Sequence, residues 1–160
     1  MTRILSEWLP LAVAVVLCQS AGILGALATA SSRDTWYRAL NKPPFNPPDW
    51  VFGPVWVCLY LMMGIAAYLV WRSTGAAGPR RLALALFAVQ LLLNALWTPA
   101  FFGLRSPALA LVVILALAAA IVATIVAFRP ISPAAALLLV PYLAWVLYAT
   151  VLNVSIVVLN

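Results

Sequence analysis

The stretch WYRALNKPPFNPPDWVFGPVW, residues 36–56, separates two apolar runs of membrane length and decides how the chain divides. It contains two doubled prolines, whose rings fix φ and push the preceding residues Lys42 and Asn46 toward extended conformations. A connector this stiff is held in shape. We therefore expect an ordered loop over residues 31–50, stiffened by Pro43, Pro44, Pro47 and Pro48.

The same stretch is rich in aromatic rings, which suit an apolar surface better than water. Long ordered loops in compact proteins are usually binding loops or lids, so we expect this loop to close over a ligand pocket. Asp34 is suited to cap a short helical turn over residues 35–40. The aromatic residues assigned to the lid are Trp36, Phe45 and Trp50, and Tyr37 is assigned to the pocket.

Composition places the chain in a membrane. The mean hydropathy is +1.13, and only 8% of the residues are charged, whereas a soluble domain has roughly a quarter. A helical crossing needs about 20 apolar residues, and a barrel strand would alternate apolar with polar residues. The prediction is an all-α, multi-pass integral membrane protein, a single domain over residues 1–160 with helices near 8–30, 51–71, 82–102, 108–128 and 134–159.

The net charge of +6 points to lipid rather than nucleic acid as a partner. Lys and Arg flank the apolar runs singly or in pairs and form no stripe interleaved with aromatic residues, as a nucleic-acid surface would. Anionic lipid headgroups or an anionic ligand are the better partners. The basic residues are divided almost evenly between the two sides, which only slightly favours an inside amino terminus.

Polar residues inside the third predicted helix mark a functional face. Gln90, Asn94 and Thr98 recur every four residues and therefore share one side of the helix. Such residues form hydrogen bonds between helices or face a cavity, because polar groups at bilayer depth are costly. The interhelical interpretation is favoured for Gln90, and both interpretations stay open for Asn94.

Aromatic residues on two other helices can complete a pocket. Trp56 and Tyr60 are one turn apart on the second helix. The fifth helix carries Trp145 too deep for the interfacial belt of Trp and Tyr, which suits Trp8, Trp50 and Trp71. Trp145 belongs to a face of the fifth helix whose residues follow helical spacing: Tyr142, Trp145, Ala149 and Asn153.

Small residues on two helices offer faces for a homodimer, because they let another helix approach closely. Both faces are weak signals in a chain so rich in alanine. They consist of Ala116, Ala119, Ala120 and Ala123 in the fourth helix, and of Ala21, Gly22, Gly25 and Ala26 in the first.

Three motifs follow one another and together span nearly the whole chain. The first runs from Trp36-Tyr37 through Lys42-Pro43 and Pro47-Pro48 to Gly53-Pro54-Val55-Trp56. The second is Gln90 with Asn94-Ala95-Leu96-Trp97, Pro99 and Phe101-Phe102-Gly103. The third is Pro141-Tyr142-Leu143-Ala144-Trp145 with Ala149-Thr150 and Leu152-Asn153. In this order the motifs resemble the translocator protein family, also called the tryptophan-rich sensory proteins and the peripheral-type benzodiazepine receptors.

This resemblance implies five transmembrane helices around a pocket for tetrapyrroles, sterols and drug-like aromatic compounds. Ala149 would let a flat ring approach the backbone. The predicted ligand is a porphyrin such as protoporphyrin IX, with Arg33, Arg38 or Lys42 available to its propionates. Residues implied or expected to contact the ligand are Tyr37, Trp56, Tyr60, Asn94, Trp97, Trp145 and Ala149.

Acid–base and metal catalysis are not predicted. The chain has no histidine, and its only acids, Glu7, Asp34 and Asp49, lie outside the apolar runs. Cys18 and Cys58 have no metal-binding spacing. We predict neither a metal site nor a required cofactor, and a function in binding, sensing or transport of the ligand.

One enzymatic alternative remains, because some relatives in the resembled family are reported to degrade porphyrin in light. That chemistry would use oxygen and tryptophan radicals, for which Trp56 and Trp145 are the residues here. A sterol is a weaker ligand candidate, because Val154 replaces the tyrosine of the cholesterol-recognition pattern and no basic residue follows. The short ends of the chain favour a bacterial membrane.

Overall fold

The computed structural model describes residues 2–32 and 36–160, with the side chains of residues 8–25, 27 and 36–160. The described residues form helices and no strand, which confirms the predicted all-α class. The helices are α1 (Thr2–Ser32), α2 (Asp49–Trp71), α3 (Ala77–Thr98), α4 (Pro107–Phe128), α5 (Pro133–Leu138) and α6 (Val140–Leu159), and a π-helical turn at Pro99–Gly103 continues α3.

Five segments of the described chain are long and apolar enough to cross a membrane, as predicted. α1 and α3 begin before the predicted residues 8 and 82, because hydropathy marks only the apolar part of a helix. α5 and α6 together form the last segment. The five segments are Trp8–Gly25, Asp49–Trp71, Ala77–Gly103, Pro107–Phe128 and Pro133–Leu159.

Serine and proline start two of the later helices. The Ser106 hydroxyl accepts a hydrogen bond from the Leu109 amide at the start of α4, and Ser132 accepts one from Ala135 at the start of α5. A proline follows each serine, where its missing N–H costs no helical hydrogen bond. These caps fix where the chain re-enters the bundle.

Two other prolines interrupt helices beside the aromatic motifs. After Pro99, the amide of Leu104 donates to the Pro99 carbonyl, the wide spacing of a π-helical turn. Pro141 lacks the amide that would bond to Leu137, so α5 ends at Leu138 and α6 starts afresh. Both interruptions lie next to aromatic side chains of the third and fifth spans.

The main buried core draws side chains from all six helices α1 to α6. Met63, Ile121, Phe128 and Tyr142 are completely buried in this core. Large apolar side chains also cover the outside of the bundle, where water would disfavour them. Such broad exposed apolar surface is typical of a protein that contacts lipid, and it includes Leu24, Leu27, Val112, Val126 and Leu137.

Glycines bring α1 close to its neighbours. A Cβ placed on Gly64 of α2 would lie 2.6 Å from the Val15 Cα of α1, closer than real atoms approach. A Cβ on Gly25 would lie 3.2 Å from Oγ1 of Thr98. The Gly64 contact leaves no room for a larger residue and the Gly25 contact is tight, so α1 lies directly against α2 and α3.

The glycine contacts bear on the predicted homodimer. Gly22 and Gly25 belong to one of the two predicted dimer faces, but in this structure they pack against other helices of the same chain. The side chain of Ala26 lies outside the described residues. On α4, Ala116 and Ala119 are exposed on the bundle surface. The α4 face is thus the accessible one of the two.

The loop between α1 and α2 packs part of its aromatic side chains on the π-helical turn. Residues 36–39 are helical, and the Trp36 ring meets Phe101 edge-on with a centroid distance of 5.6 Å. Phe45 and Trp50 point outward, with 48% and 75% of their surfaces exposed. Asp34, the predicted cap, lies outside the described residues.

Hydrogen bonds tie this loop to α6. The Tyr148 hydroxyl donates to the Phe45 carbonyl at 2.7 Å. The Asn41 amide donates to Asn160 Oδ1 at 3.0 Å, and Asn160 Nδ2 donates back to the Asn41 carbonyl at 3.1 Å. The loop is therefore anchored at two points along the last helix.

Candidate functional site

A cavity of about 340 Å³ opens between the helices beneath the loop, within the range of about 300–1,000 Å³ typical of small-molecule sites. Most of its lining is apolar or aromatic. The lining residues are Gln19, Gly22, Ile23 and Gly25 of α1; Tyr37 and Asn46 of the loop; Asp49, Phe52, Gly53, Trp56, Val57 and Tyr60 of α2; Asn94, Trp97 and Thr98 of α3; Phe101 and Phe102 of the π-helical turn; Ile114 and Leu117 of α4; and Trp145, Val146, Ala149, Leu152, Asn153 and Ile156 of α6.

The seven residues predicted to contact ligand all line this one cavity. They come from the loop and three spans, and the fold brings them together. The residues assigned to the lid do not line it. Those residues are Trp36, Pro43, Pro44, Phe45, Pro47, Pro48 and Trp50, and the loop contributes Asn46 beside Tyr37 instead.

Aromatic rings from three helices and the π-helical turn form walls of the cavity. On α2, Trp56 stacks on Tyr60 with centroids 5.2 Å apart and an interplanar angle of 27°. Trp97 of α3 stacks on Phe101 of the π-helical turn, with centroids 5.2 Å apart and an interplanar angle of 24°. Trp145 of α6 meets Phe52 edge-on at 5.9 Å. Rings paired in this way hold one another in place, which gives the walls a defined shape.

Asn94 lies at the centre of a buried hydrogen-bond chain. The Tyr60 hydroxyl donates to Asn94 Oδ1 at 2.5 Å, and Asn94 Nδ2 donates to the Tyr142 hydroxyl at 3.0 Å. The chain links α2, α3 and α6. Asn94 thus makes the interhelical bonds that one interpretation predicted, and it also lines the cavity that the other required.

Gln90 behaves differently from Asn94. Its side chain has no exposed surface, and neither its oxygen nor its nitrogen has a hydrogen-bond partner among the described residues. The prediction that Gln90 forms an interhelical hydrogen bond is therefore wrong for the described part of the chain. One turn of helix separates a satisfied amide from an unsatisfied one because only Asn94 faces two tyrosine hydroxyls.

Asn153 fixes the ring of Trp97. The indole Nε1 donates to Asn153 Oδ1 at 3.2 Å, while Asn153 Nδ2 donates to the Pro107 carbonyl at 2.8 Å. Asn153 is itself buried. It satisfies both an indole and the first carbonyl of α4, so the Trp97 ring is held from α6.

The loop residues Tyr37 and Asn46 and the exposed first residue of α2, Asp49, line one part of the cavity, which we call its mouth. Tyr37 Oη is 3.5 Å from Asn46 Oδ1, and Lys42 Nζ lies 4.6 Å from the centre of the Tyr37 ring. Neither Lys42 nor Arg38 lines the cavity, and Arg33 lies outside the described residues. Of the two described basic residues predicted for propionates, Lys42 contacts the ring of a lining residue, and Arg38 is not part of the lining.

Several lining residues were missed by the sequence analysis. The α2 residues Asp49, Phe52 and Gly53 precede Trp56 at helical spacing, and this spacing was a signal that could have found them. Phe101 and Phe102 belong to a quoted motif. No comparable signal marked the α1 residues Gln19, Gly22, Ile23 and Gly25, whose role depends on which face of α1 turns inward.

Comparisons with known proteins agree with this architecture. The model of the TspO/MBR family matches residues 14–159. The "Tryptophan-rich protein TspO" of Chlorobaculum tepidum is 43% identical over 152 residues, covering 95% of this chain and 96% of the relative. The "Translocator protein" of Homo sapiens is 43% identical over 148 residues, covering 91% of this chain and 87% of the relative.

A third relative, the "Tryptophan-rich sensory protein" of Cereibacter sphaeroides, is 40% identical over 154 residues and covers 96% of this chain and 93% of its own length. The relatives include bacterial and mammalian proteins, so they do not assign this chain to a bacterial membrane. A family match over nearly the whole length and five apolar helices lead to the same conclusion: the chain is a multi-pass membrane protein that belongs to the TspO/MBR family.

Proposed function

We propose that this protein is a membrane sensor or translocator that binds a flat, largely apolar ring compound, a porphyrin such as protoporphyrin IX, in the aromatic cavity. The observation that carries the proposal is the arrangement of stacked rings around one cavity. Trp56 with Tyr60, and Trp97 with Phe101, offer planar surfaces on different helices. A flat ring is the ligand shape that such surfaces favour.

The small residues of the cavity support the same ligand shape. Ala149 and Gly53 lie among the aromatic lining residues, and a Cβ placed on Gly53 would meet no atom within 4 Å. A ring can therefore approach the helix backbones between the tryptophans. Polar lining groups are few, and Asn94 and Asn153 among them are buried, as in sites that orient an apolar ligand.

The names of the relatives suggest what binding achieves. One relative is called a sensory protein and another a translocator. Both roles begin with binding inside the membrane. We carry the sensor or translocator role to this chain as part of the proposal, with the porphyrin or a sterol-like compound as the molecule sensed or moved.

The test fills the cavity from α6. Ala149→Phe places a ring in the space proposed for the ligand, whereas Ala144→Phe places the same ring on an exposed position of α6. In lipid nanodiscs, we expect the first variant to lose protoporphyrin IX binding, measured by porphyrin fluorescence anisotropy, and the second to retain it. Equal affinities for both variants would contradict binding in this cavity.

Light- and oxygen-dependent porphyrin breakdown is a second candidate, favoured because Trp56 and Trp145 line the same cavity. A ligand between them would contact two oxidisable indoles. Under illumination with oxygen, bound protoporphyrin should then bleach faster than free pigment, and Trp56→Phe or Trp145→Phe should slow bleaching while binding persists. If neither substitution changes the bleaching rate, the bleaching is due to the photochemistry of the pigment alone, and the enzymatic candidate is contradicted.

A further inference from the structure

Asp49 is the charged side chain among the residues that line the cavity, although the chain as a whole carries a net charge of +6. It is the first residue of α2. The lining residues Phe52, Gly53 and Trp56 follow it at helical spacing. Asp49 therefore lies at the start of a lining face of α2 that continues through Phe52 and Gly53 to the aromatic ring of Trp56.

The negative charge of Asp49 is not neutralised within the described part of the chain, where it forms no ion pair. The ammonium group of Lys42 lies over the ring of the lining residue Tyr37 and donates to the carbonyls of Arg38 and Leu40. These contacts hold Lys42 on the loop. The cavity mouth thus presents an acid to an entering ligand.

A structural role alone does not explain this position. An acid in the first turn of a helix is stabilised by the helix dipole wherever around the turn it lies. Asp49 also does not cap α2, because the N-cap is Pro48 and no side chain supplies the cap hydrogen bond. The dipole accounts for an acid near this end of α2, but not for its place in the cavity lining.

We propose that Asp49 acts as a charge filter, so that the cavity prefers ring compounds whose mouth-facing substituent is cationic or neutral over those that present a carboxylate there. This inference rests on the proposed binding function and specifies its ligand class. A ligand with an amine, amide or ester at that end gains or keeps contact with the carboxylate. A free acid is repelled by it.

The size of the effect follows from the exposure of Asp49. Solvent and salt screen exposed charges, so each interaction is modest. We expect the preference to amount to about two- to fivefold in Kd, the range given by exposed ion pairs. High salt should reduce it.

The test uses three porphyrins with one macrocycle: protoporphyrin IX, its uncharged dimethyl ester, and a diamide that carries two primary amines. Affinities are measured in nanodiscs of zwitterionic lipid, so that lipid charge does not contribute. The readout is the Kd of the diacid or diamine relative to the Kd of the ester within each variant. The ester serves as an internal reference for cavity shape.

The decisive variant is Asp49→Asn, which removes the charge and keeps the size. We expect the diacid-to-ester Kd ratio to fall about two- to fivefold and the diamine-to-ester ratio to rise by a similar factor. Arg81→Gln is the control, because Arg81 is exposed near the start of α3, at the other end of α2. The control should leave both ratios unchanged.

The outcomes separate this inference from the proposed function. If the ester binds and Asp49→Asn changes neither ratio, the charge filter is overturned and the binding function stands. The same holds if Arg81→Gln changes the ratios as much as Asp49→Asn. If none of the three porphyrins binds the wild-type protein, the proposed function and the charge filter both fall.

Discussion

Gly22 of α1 lies so close to the Tyr60 ring that a Cβ on the glycine would be 2.4 Å from Cε2 of the tyrosine. The Tyr60 hydroxyl in turn donates to Asn94. The packing of α1 against α2 therefore sets the position of a hydrogen-bond chain on the cavity wall. A change on one helix should alter contacts on two others.

The first prediction follows from this contact. Gly22→Ala should displace the Tyr60 ring, weaken its bond to Asn94 and lower stability by about 1–3 kcal/mol, the usual cost of overpacking. Gly53→Ala is the matched control, since it also lines the cavity but its Cβ would have free space. Thermal unfolding in detergent compares the two, and equal melting temperatures would contradict the contact.

The second prediction concerns the two buried amides of α3. Asn94→Leu should destabilise the protein by about 1–3 kcal/mol, because the hydroxyls of Tyr60 and Tyr142 lose their partner. Gln90→Leu should be neutral or stabilising, because it removes a buried amide that lacks partners among the described residues. A Gln90→Leu variant as unstable as Asn94→Leu would show that Gln90 is satisfied.

The third prediction tests the loop as a lid. Tyr148→Phe removes only the hydroxyl that donates to the Phe45 carbonyl. A neutral hydrogen bond contributes about 1 kcal/mol, so porphyrin dissociation should accelerate by roughly fivefold, with little change in association. Stopped-flow fluorescence measures both rates. An unchanged dissociation rate, with intact helical circular dichroism, would indicate that the loop is only a connector.

The fourth prediction addresses the prolines of the same loop. The Asn46 amide donates to the Pro43 carbonyl at 3.0 Å, closing a turn in which Pro44 is the second residue. Proline presets φ at this turn position. Replacing the four loop prolines by alanine should raise the entropy cost of loop closure and speed dissociation, while circular dichroism stays unchanged. A wild-type dissociation rate in this quadruple variant would show that the stiffness of the prolines does not slow ligand release.

The sequence was sufficient for the fold class and for part of the cavity lining. Hydropathy identified the spans because lipid requires long apolar helices. The helical spacing of Trp56 and Tyr60 placed both rings on one face of α2. In each case the information is local, since it depends on residues within the same helix.

Contacts between helices could not be derived in this way. The spacing of Gly22 and Gly25 suggested a dimer face, and the structure places them against Tyr60 and Thr98. Gln90 and Asn94 share one helical face, but only Asn94 meets the two tyrosine hydroxyls. Asp49 was seen only as a residue outside the spans. These outcomes depend on how helices are rotated and spaced, which periodicity does not determine.

The central claim, that the aromatic walls of the cavity bind a flat ring, is tested most directly by comparing two tryptophans. Trp145 lines the cavity, whereas Trp71 is exposed and stacks on Tyr68 at the far end of α2. Aromatic stacking contributes about 0.5–1.5 kcal/mol beyond burial, so Trp145→Ala should weaken protoporphyrin IX binding by roughly two- to tenfold in fluorescence anisotropy titrations. Trp71→Ala should bind as the wild type does. Wild-type affinity in Trp145→Ala, or an equal loss in both variants, would contradict the account.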